Sequence, residues 1–192
     1  MKDNKKQIAI FASGSGSNAE NIIRHFSNRD CGIEVAMVVT NKPDAGAIAR
    51  ARRLGVRVEV IPSGEFRSGE RVIDLMTDNA IDCIVLAGFL MMIPARLIGR
   101  YPDRIINIHP SLLPKFGGKG MYGSNVHKAV VEAGEKESGI TIHYVTERYD
   151  EGAPIFQASV ALTPEDTAET VEQKVRSLEA EHFPRVIEEL LS

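Results

Sequence analysis

The chain has 192 residues, 43% hydrophobic and 26% charged, which suits one buried core and excludes a disordered polyampholyte. A net charge of −3 excludes any general attraction to nucleic acid. The longest apolar stretch, 84–94, is too short to cross a bilayer, and no apolar segment backs the basic start at 2–6, so no membrane partner and no secretory leader are expected and the cytoplasm is the expected address.

Strand-length apolar runs alternate with helix-period stretches from the start. A strand is predicted over 7–12, then Ser13-Gly14-Ser15-Gly16-Ser17 and a helix over 18–26. A strand at 33–40, a helix at 45–54, a strand at 57–61 and a helix at 69–79 follow. The run 81–87 is nearly all apolar, as expected of a strand covered by helices on both faces. After a fifth strand at 104–108 the rhythm changes to a Gly- and Pro-rich loop at 110–123 and a short helix at 126–133. Segments 139–145 and 154–162 alternate like antiparallel strands, and a long helix is predicted over 168–191. The pattern predicts an α/β fold: a doubly wound, mostly parallel sheet with a Rossmann-like N-terminal half and antiparallel additions in the C-terminal half. No repeat or linker interrupts it, so a single domain over 1–192 is expected.

Three places could carry chemistry. The turn at 13–18 joins a strand to a helix. It reads either as an anion cradle of backbone N–H groups or as a plain turn capped by Ser17 or Asn18. Its glycine spacing is not the full dinucleotide fingerprint, and no P-loop lysine follows. At the end of the fifth strand, Asn107 and His109 lie two apart and project the same way, where open α/β sheets place their active sites. An amide beside an imidazole suits oxyanion stabilisation and proton transfer. Asp150, in a Gly/Pro-bounded loop, matters if the fold brings it to His109. Of the other histidines, His25 fits a helix C-terminus, His127 and His182 read as surface or partner-facing, and His143 faces either the site or the core. Cys31 lies in a polar turn and Cys83 in an apolar run, so no disulfide is expected. No His or Cys spacing matches a metal site, and no metal is expected.

Together these segments resemble the folate-dependent formyltransferases, over almost the whole length from Ile8 to Leu191. The resemblance rests on Ser-Gly-Ser-Gly-Ser-Asn at 13–18, Thr40-Asn41-Lys42, Val-Leu-Ala-Gly-Phe at 85–89 and Asn-Ile-His-Pro-Ser-Leu-Leu-Pro at 107–114. His143-Tyr144-Val145 and Asp150-Glu151-Gly152 complete it. The Gly16-Ser17-Asn18 loop narrows it to the branch acting on phosphoribosylglycinamide. The resemblance implies 10-formyltetrahydrofolate as the formyl donor and co-substrate, with no metal, in purine synthesis. It implies Asn107, protonated His109 and Asp150 as catalytic residues, and Gly16, Ser17, Asn18 and Glu179 around the ribonucleotide. It assigns the folate to Leu90, Met91, Met92 and Ile93, to Asn107, and to Thr146, Glu147, Arg148, Tyr149 and Asp150. The implied protein is a monomer or weak homodimer.

The chain departs from the family in three places. Met91 stands where many relatives carry a basic residue, and Gly69 aligns with a folate-contacting arginine, leaving Arg67 or Arg71 to substitute. The loop 117–123 replaces the commoner Pro-Gly-x-His pattern. Rival readings are a formyltransferase acting on methionyl-tRNA or an amino sugar, a deformylating hydrolase, and a non-catalytic binding module. The first and third would be expected to bring extra domains, and an amino-sugar enzyme has no use for Gly16-Ser17-Asn18. A binding module has no use for the acid–base set Asn107, His109 and Asp150.

Overall fold

The structure is a computed structural model and describes residues 5–192. The elements are β1 (Lys6–Phe11), α1 (Ser17–Ser27), β2 (Ile33–Thr40), α2 (Gly46–Arg53), β3 (Arg57–Val60), α3 (Ser63–Ser68) and α4 (Glu70–Asp78). They continue as β4 (Cys83–Leu86), α5 (Ala95–Arg100), β5 (Ile105–His109), α6 (Ser124–Glu132), β6 (Glu137–Tyr144), β7 (Pro154–Ala161) and α7 (Ala168–Leu191). The described residues form two compact units, one of residues 5–106 with 184–192 and one of residues 107–183. The basic start at 2–6 lies mostly outside the described residues.

In the first unit the strand order is β3-β2-β1-β4-β5, and β1 pairs in parallel with both β2 and β4. Ile8, Ile10, Val38, Val39, Ile84 and Val85 are fully buried. Since neighbours in a strand point to opposite faces, both faces of this sheet are covered. In the second unit the order is β5-β6-β7, β5 running through the boundary, and β6 and β7 form an antiparallel pair. Strand β6 is buried along most of its length, whereas β7 is only half covered, as befits an edge. The mixed, mostly parallel seven-stranded sheet is the α/β fold expected.

Two helices were not legible in the sequence. Each of α3 and α5 has 6 residues, too few to show a period, and each starts directly after a proline, Pro62 or Pro94. Each drives in one apolar anchor, Phe66 and Leu97, both fully buried. The expectation for His127 is corrected: it is buried on α6, its Nδ1 has no hydrogen-bond partner, and burial lowers its pKa. The α6 period turns His127 inward beside Val126 and Val130, which are also buried. His182 lies against Phe156, ring centroids 5.0 Å apart, and His25 pairs with Glu188 at 2.7 Å.

Both cysteines are free thiols. Burial pushes Cys83 up to about 12, whereas Cys31 is partly exposed. Because the thiolate is the reactive form, iodoacetamide at pH 8 is expected to label Cys31 and spare Cys83 until urea unfolds the chain. Peptide mass mapping reads both; equal labelling of the two in the native protein contradicts the packing of β4.

Candidate active site

In the second unit β5 ends on Asn107 and His109, the latter buried. His109 Nε2–H donates to the carbonyl of Phe116 at 2.8 Å, which turns Nδ1 toward Asp150, 3.5 Å from Oδ2. That separation is an electrostatic contact rather than a hydrogen bond. The Gly118 N–H donates to Oδ2 of Asp150 at 2.8 Å and holds the carboxylate in place. Asp150 itself adopts a left-handed backbone conformation, φ 57°.

Two glycines make this approach feasible. A Cβ on Gly117 would lie 2.6 Å from Leu113 Cδ2 and 3.3 Å from Asp150 Cβ. A Cβ on Gly152 would lie 1.7 Å from the Tyr144 carbonyl oxygen, so no larger residue fits. The other wall is clamped by Thr141, whose hydroxyl donates to the Ser111 carbonyl at 2.7 Å and accepts the Leu113 N–H at 3.0 Å. The Leu113–Pro114 peptide that follows is cis.

A second imidazole completes the cluster. His143 Nδ1–H donates to the Tyr144 carbonyl at 2.8 Å, which turns Nε2 toward Asn107 and Asp150. Asn107 Nδ2 donates to that nitrogen at 3.1 Å, and Asp150 Oδ1 lies 3.7 Å from it. His143 therefore orients the Asn107 amide and spends only one of its two hydrogens. Of the two readings the sequence left for His143, the structure realises the one facing the site. Gly139, Thr141 and His143 share one face of β6, and Thr141 already clamps the loop after β5.

Burial dominates the electrostatics. It pushes the His109 pKa below its ordinary 6.5, against the raising effects of Asp150 and the Phe116 carbonyl, while His143 lowers it further. The balance favours the neutral imidazole, because desolvation outweighs the carboxylate. Burial also pushes Asp150 upward, but His143, His109 and the Gly118 N–H together hold it below 3.8. The pair rests as an ionised carboxylate beside a neutral ring poised to take a proton. The segment Thr146, Glu147, Arg148 and Tyr149 leading to Asp150 is exposed, and Glu179 is half-buried on α7.

In the first unit, α1 opens on Gly16 at φ 79° with no side-chain cap, so neither Ser17 nor Asn18 serves as the N-cap. A Cβ on Gly16 would lie 2.4 Å from the Ala47 Cα. The turn is braced on α2: Ala47 N–H donates to Gly14 O at 3.2 Å and Arg50 Nε to Ser15 O at 2.9 Å. Gly16→Ala is expected to destabilise the protein by about 3 kcal/mol, from the left-handed backbone and the backbone clash together. Urea unfolding measures this; a loss under about 1 kcal/mol contradicts the tight docking of the turn. After β4, Phe89 packs against Phe11 and Phe66 at 5.4 and 4.9 Å, while Leu90 and Met92 stay exposed and Ile93 is buried. This anchored loop with outward apolar side chains suits a flat ligand.

An amide and an imidazole at a strand end, braced by a carboxylate, can together stabilise an oxyanion and move a proton. The chain belongs to the formyl transferase family, whose model matches residues 6–187. It is 42% identical to the chloroplastic phosphoribosylglycinamide formyltransferase of Arabidopsis thaliana, over 95% of this chain and 64% of that relative, so the chain spans just under two thirds of its length. It is 37% identical to phosphoribosylglycinamide formyltransferase of Haemophilus influenzae, over 95% of this chain and 85% of the relative. The crystal structure of glycinamide ribonucleotide transformylase 1 from Geobacillus kaustophilus matches with a TM-score of 0.90 at 34% identity, covering 98% of this chain and 100% of that one.

Proposed function

We propose that this chain transfers the formyl group of 10-formyltetrahydrofolate to the amine of phosphoribosylglycinamide, a step of purine synthesis. The observation that carries the reading is the Asn107–His109–His143–Asp150 cluster, with an orienting partner for each catalytic group. The names of the relatives support the choice of donor and acceptor.

The amine attacks the formyl carbon, a C–N bond forms, and negative charge develops on the formyl oxygen. The second Asn107 amide hydrogen donates to that oxygen. Neutral His109 takes the proton released by the attacking nitrogen, and the resulting imidazolium, stabilised by Asp150, strengthens the hold on the oxygen. Proton delivery to N10 of the folate, with ordered water at Asp150, breaks the C–N10 bond and restores the carbonyl. No enzyme-bound acyl intermediate is needed, and holding the two reactants together supplies much of the rate.

Gly16, Ser17 and Asn18 at the uncapped start of α1 bind the ribonucleotide phosphate, assisted by Glu179 on the rest of the ribonucleotide. Leu90, Met91, Met92 and Ile93 and the segment from Thr146 to Asp150 take the pterin, largely through backbone groups. Of the two arginines able to replace the residue missing at Gly69, Arg71 is already paired with Glu65, whereas Arg67 is exposed at the end of α3, so Arg67 receives the folate carboxylate. The whole chain acts as one catalytic domain, as a cytoplasmic monomer or weak homodimer, with no metal.

The test mixes purified protein with 10-formyltetrahydrofolate and phosphoribosylglycinamide and follows deformylated folate by absorbance. Release that requires the ribonucleotide supports the reading. Release without an acceptor identifies a hydrolase, release with an amino sugar nucleotide moves the acceptor, and no release removes the transferase reading.

A further inference from the structure

Ser13 is buried at the end of β1, one residue ahead of the glycine turn, and none of the roles above uses its side chain. Its hydroxyl has a single proton, and the geometry shows where that proton goes. Ser13 Oγ–H donates to Asn41 Oδ1 at 2.6 Å, and Asn41 Nδ2 in turn donates to Ser63 Oγ at 3.3 Å. With its proton committed to Asn41, the lone pairs of Ser13 Oγ accept the Leu90 N–H at 3.1 Å. The Ser13 N–H adds a bond to the Gly88 carbonyl at 3.0 Å. One residue thus ties the start of the loop after β4 at two points, three strands' ends being joined through Ser13, Asn41 and the backbone of Gly88 and Leu90.

We infer that Ser13 is a positioning residue for the folate: its hydroxyl sets the register of the Leu90–Ile93 loop, and Asn41 fixes the direction in which that hydroxyl points. The inference rests on the reading that this loop holds the pterin through its backbone. Phe89 already anchors the loop by packing against Phe11 and Phe66, but non-directional apolar packing does not by itself set the peptide plane at Leu90. A backbone ligand loop needs that plane fixed, because its donors and acceptors are the recognition groups. The neighbouring turn at 14–18 has its own brace on α2, through Gly14 O, Ser15 O and the Gly16–Ala47 contact. Ser13 therefore serves one loop and leaves the other standing.

The experiment compares the wild-type protein with Ser13→Ala, Asn41→Ala and the double variant. Amide hydrogen exchange at Leu90 is followed in the ligand-free protein by NMR. The Kd for 10-formyltetrahydrofolate and, separately, for phosphoribosylglycinamide is measured by calorimetry, and kcat is measured at saturation. Ser13→Ala is expected to speed Leu90 exchange about tenfold and to weaken folate binding about five- to tenfold, the scale of one lost hydrogen bond. Ribonucleotide binding and kcat stay within about twofold. The double variant matches Ser13→Ala, since both changes break the same chain of bonds. Unchanged exchange at Leu90 overturns the tether. Faster exchange with unchanged folate affinity, in a protein whose wild type binds the folate, overturns the role in folate positioning. A wild type that binds no folate defeats the functional reading instead, and with it the role inferred for Ser13.

Discussion

Replacing His109 by glutamine is expected to lower kcat for formyl transfer by about 10³-fold, within the range of a lost general acid–base group. Glutamine places an amide N–H at about the reach of Nε2, so the bond to the Phe116 carbonyl and the anchor of the loop after β5 are kept while the proton carrier is gone. The affinities for both substrates are expected to stay within about threefold, because the imidazole acts on the transition state more than on the bound reactants. Alanine at the same position is expected to lose as much activity and to cost stability as well, since it leaves a cavity beside a buried carbonyl. Steady-state kinetics with urea unfolding of both variants separates the two effects. A glutamine variant within tenfold of wild-type kcat removes His109 from the chemistry.

Asp150→Asn is expected to lower the plateau rate by about 10²-fold and to move the acidic limb of the pH profile downward. The sign follows from the resting state. Burial already holds the His109 pKa below 6.5, so the active neutral form is present at neutral pH and is lost only on acidification. The Asp150 carboxylate, 3.5 Å away, is the group that raises that pKa most. Removing its charge leaves only the Phe116 carbonyl to oppose desolvation, and the limb moves downward. The plateau drops because the imidazolium formed during the reaction loses its counter-charge. Asparagine retains a side-chain oxygen for the Gly118 N–H, so the loop geometry survives. Profiles of kcat/KM between pH 4.5 and 9, with an NMR titration of the His109 ring, test both halves. A limb that moves upward or stays in place contradicts this assignment of charge.

These expectations join two kinds of information. The alternation of apolar strands and amphipathic helices in the first half was visible because a strand buried on both faces must be apolar throughout, as residues 8–12 and 83–87 are. The short helices α3 and α5 escaped because one and a half turns carry a single buried residue each, below any detectable period. The turn at 13–18 was visible as a glycine-rich junction. That α1 starts on Gly16 without a side-chain cap depends on how closely Ala47 packs, a contact between residues 31 apart that no local pattern encodes.

The sequence by itself determined the chemistry available: an amide and an imidazole two apart at a strand end, an acid in a glycine-bounded loop, and no competing nucleophile set. Those features are local, so residue type and spacing suffice to show them. Only the tertiary structure decided which groups meet and what charge they carry. His143 reaches Asn107 across 36 positions, Gly118 holds Asp150 across 32, and Gly117 and Gly152 are required only because other backbone and side-chain atoms fill their Cβ positions. The resting charge of His109 was decided there too, since desolvation depends on what the whole fold packs around the ring, and here it outweighs the nearest carboxylate.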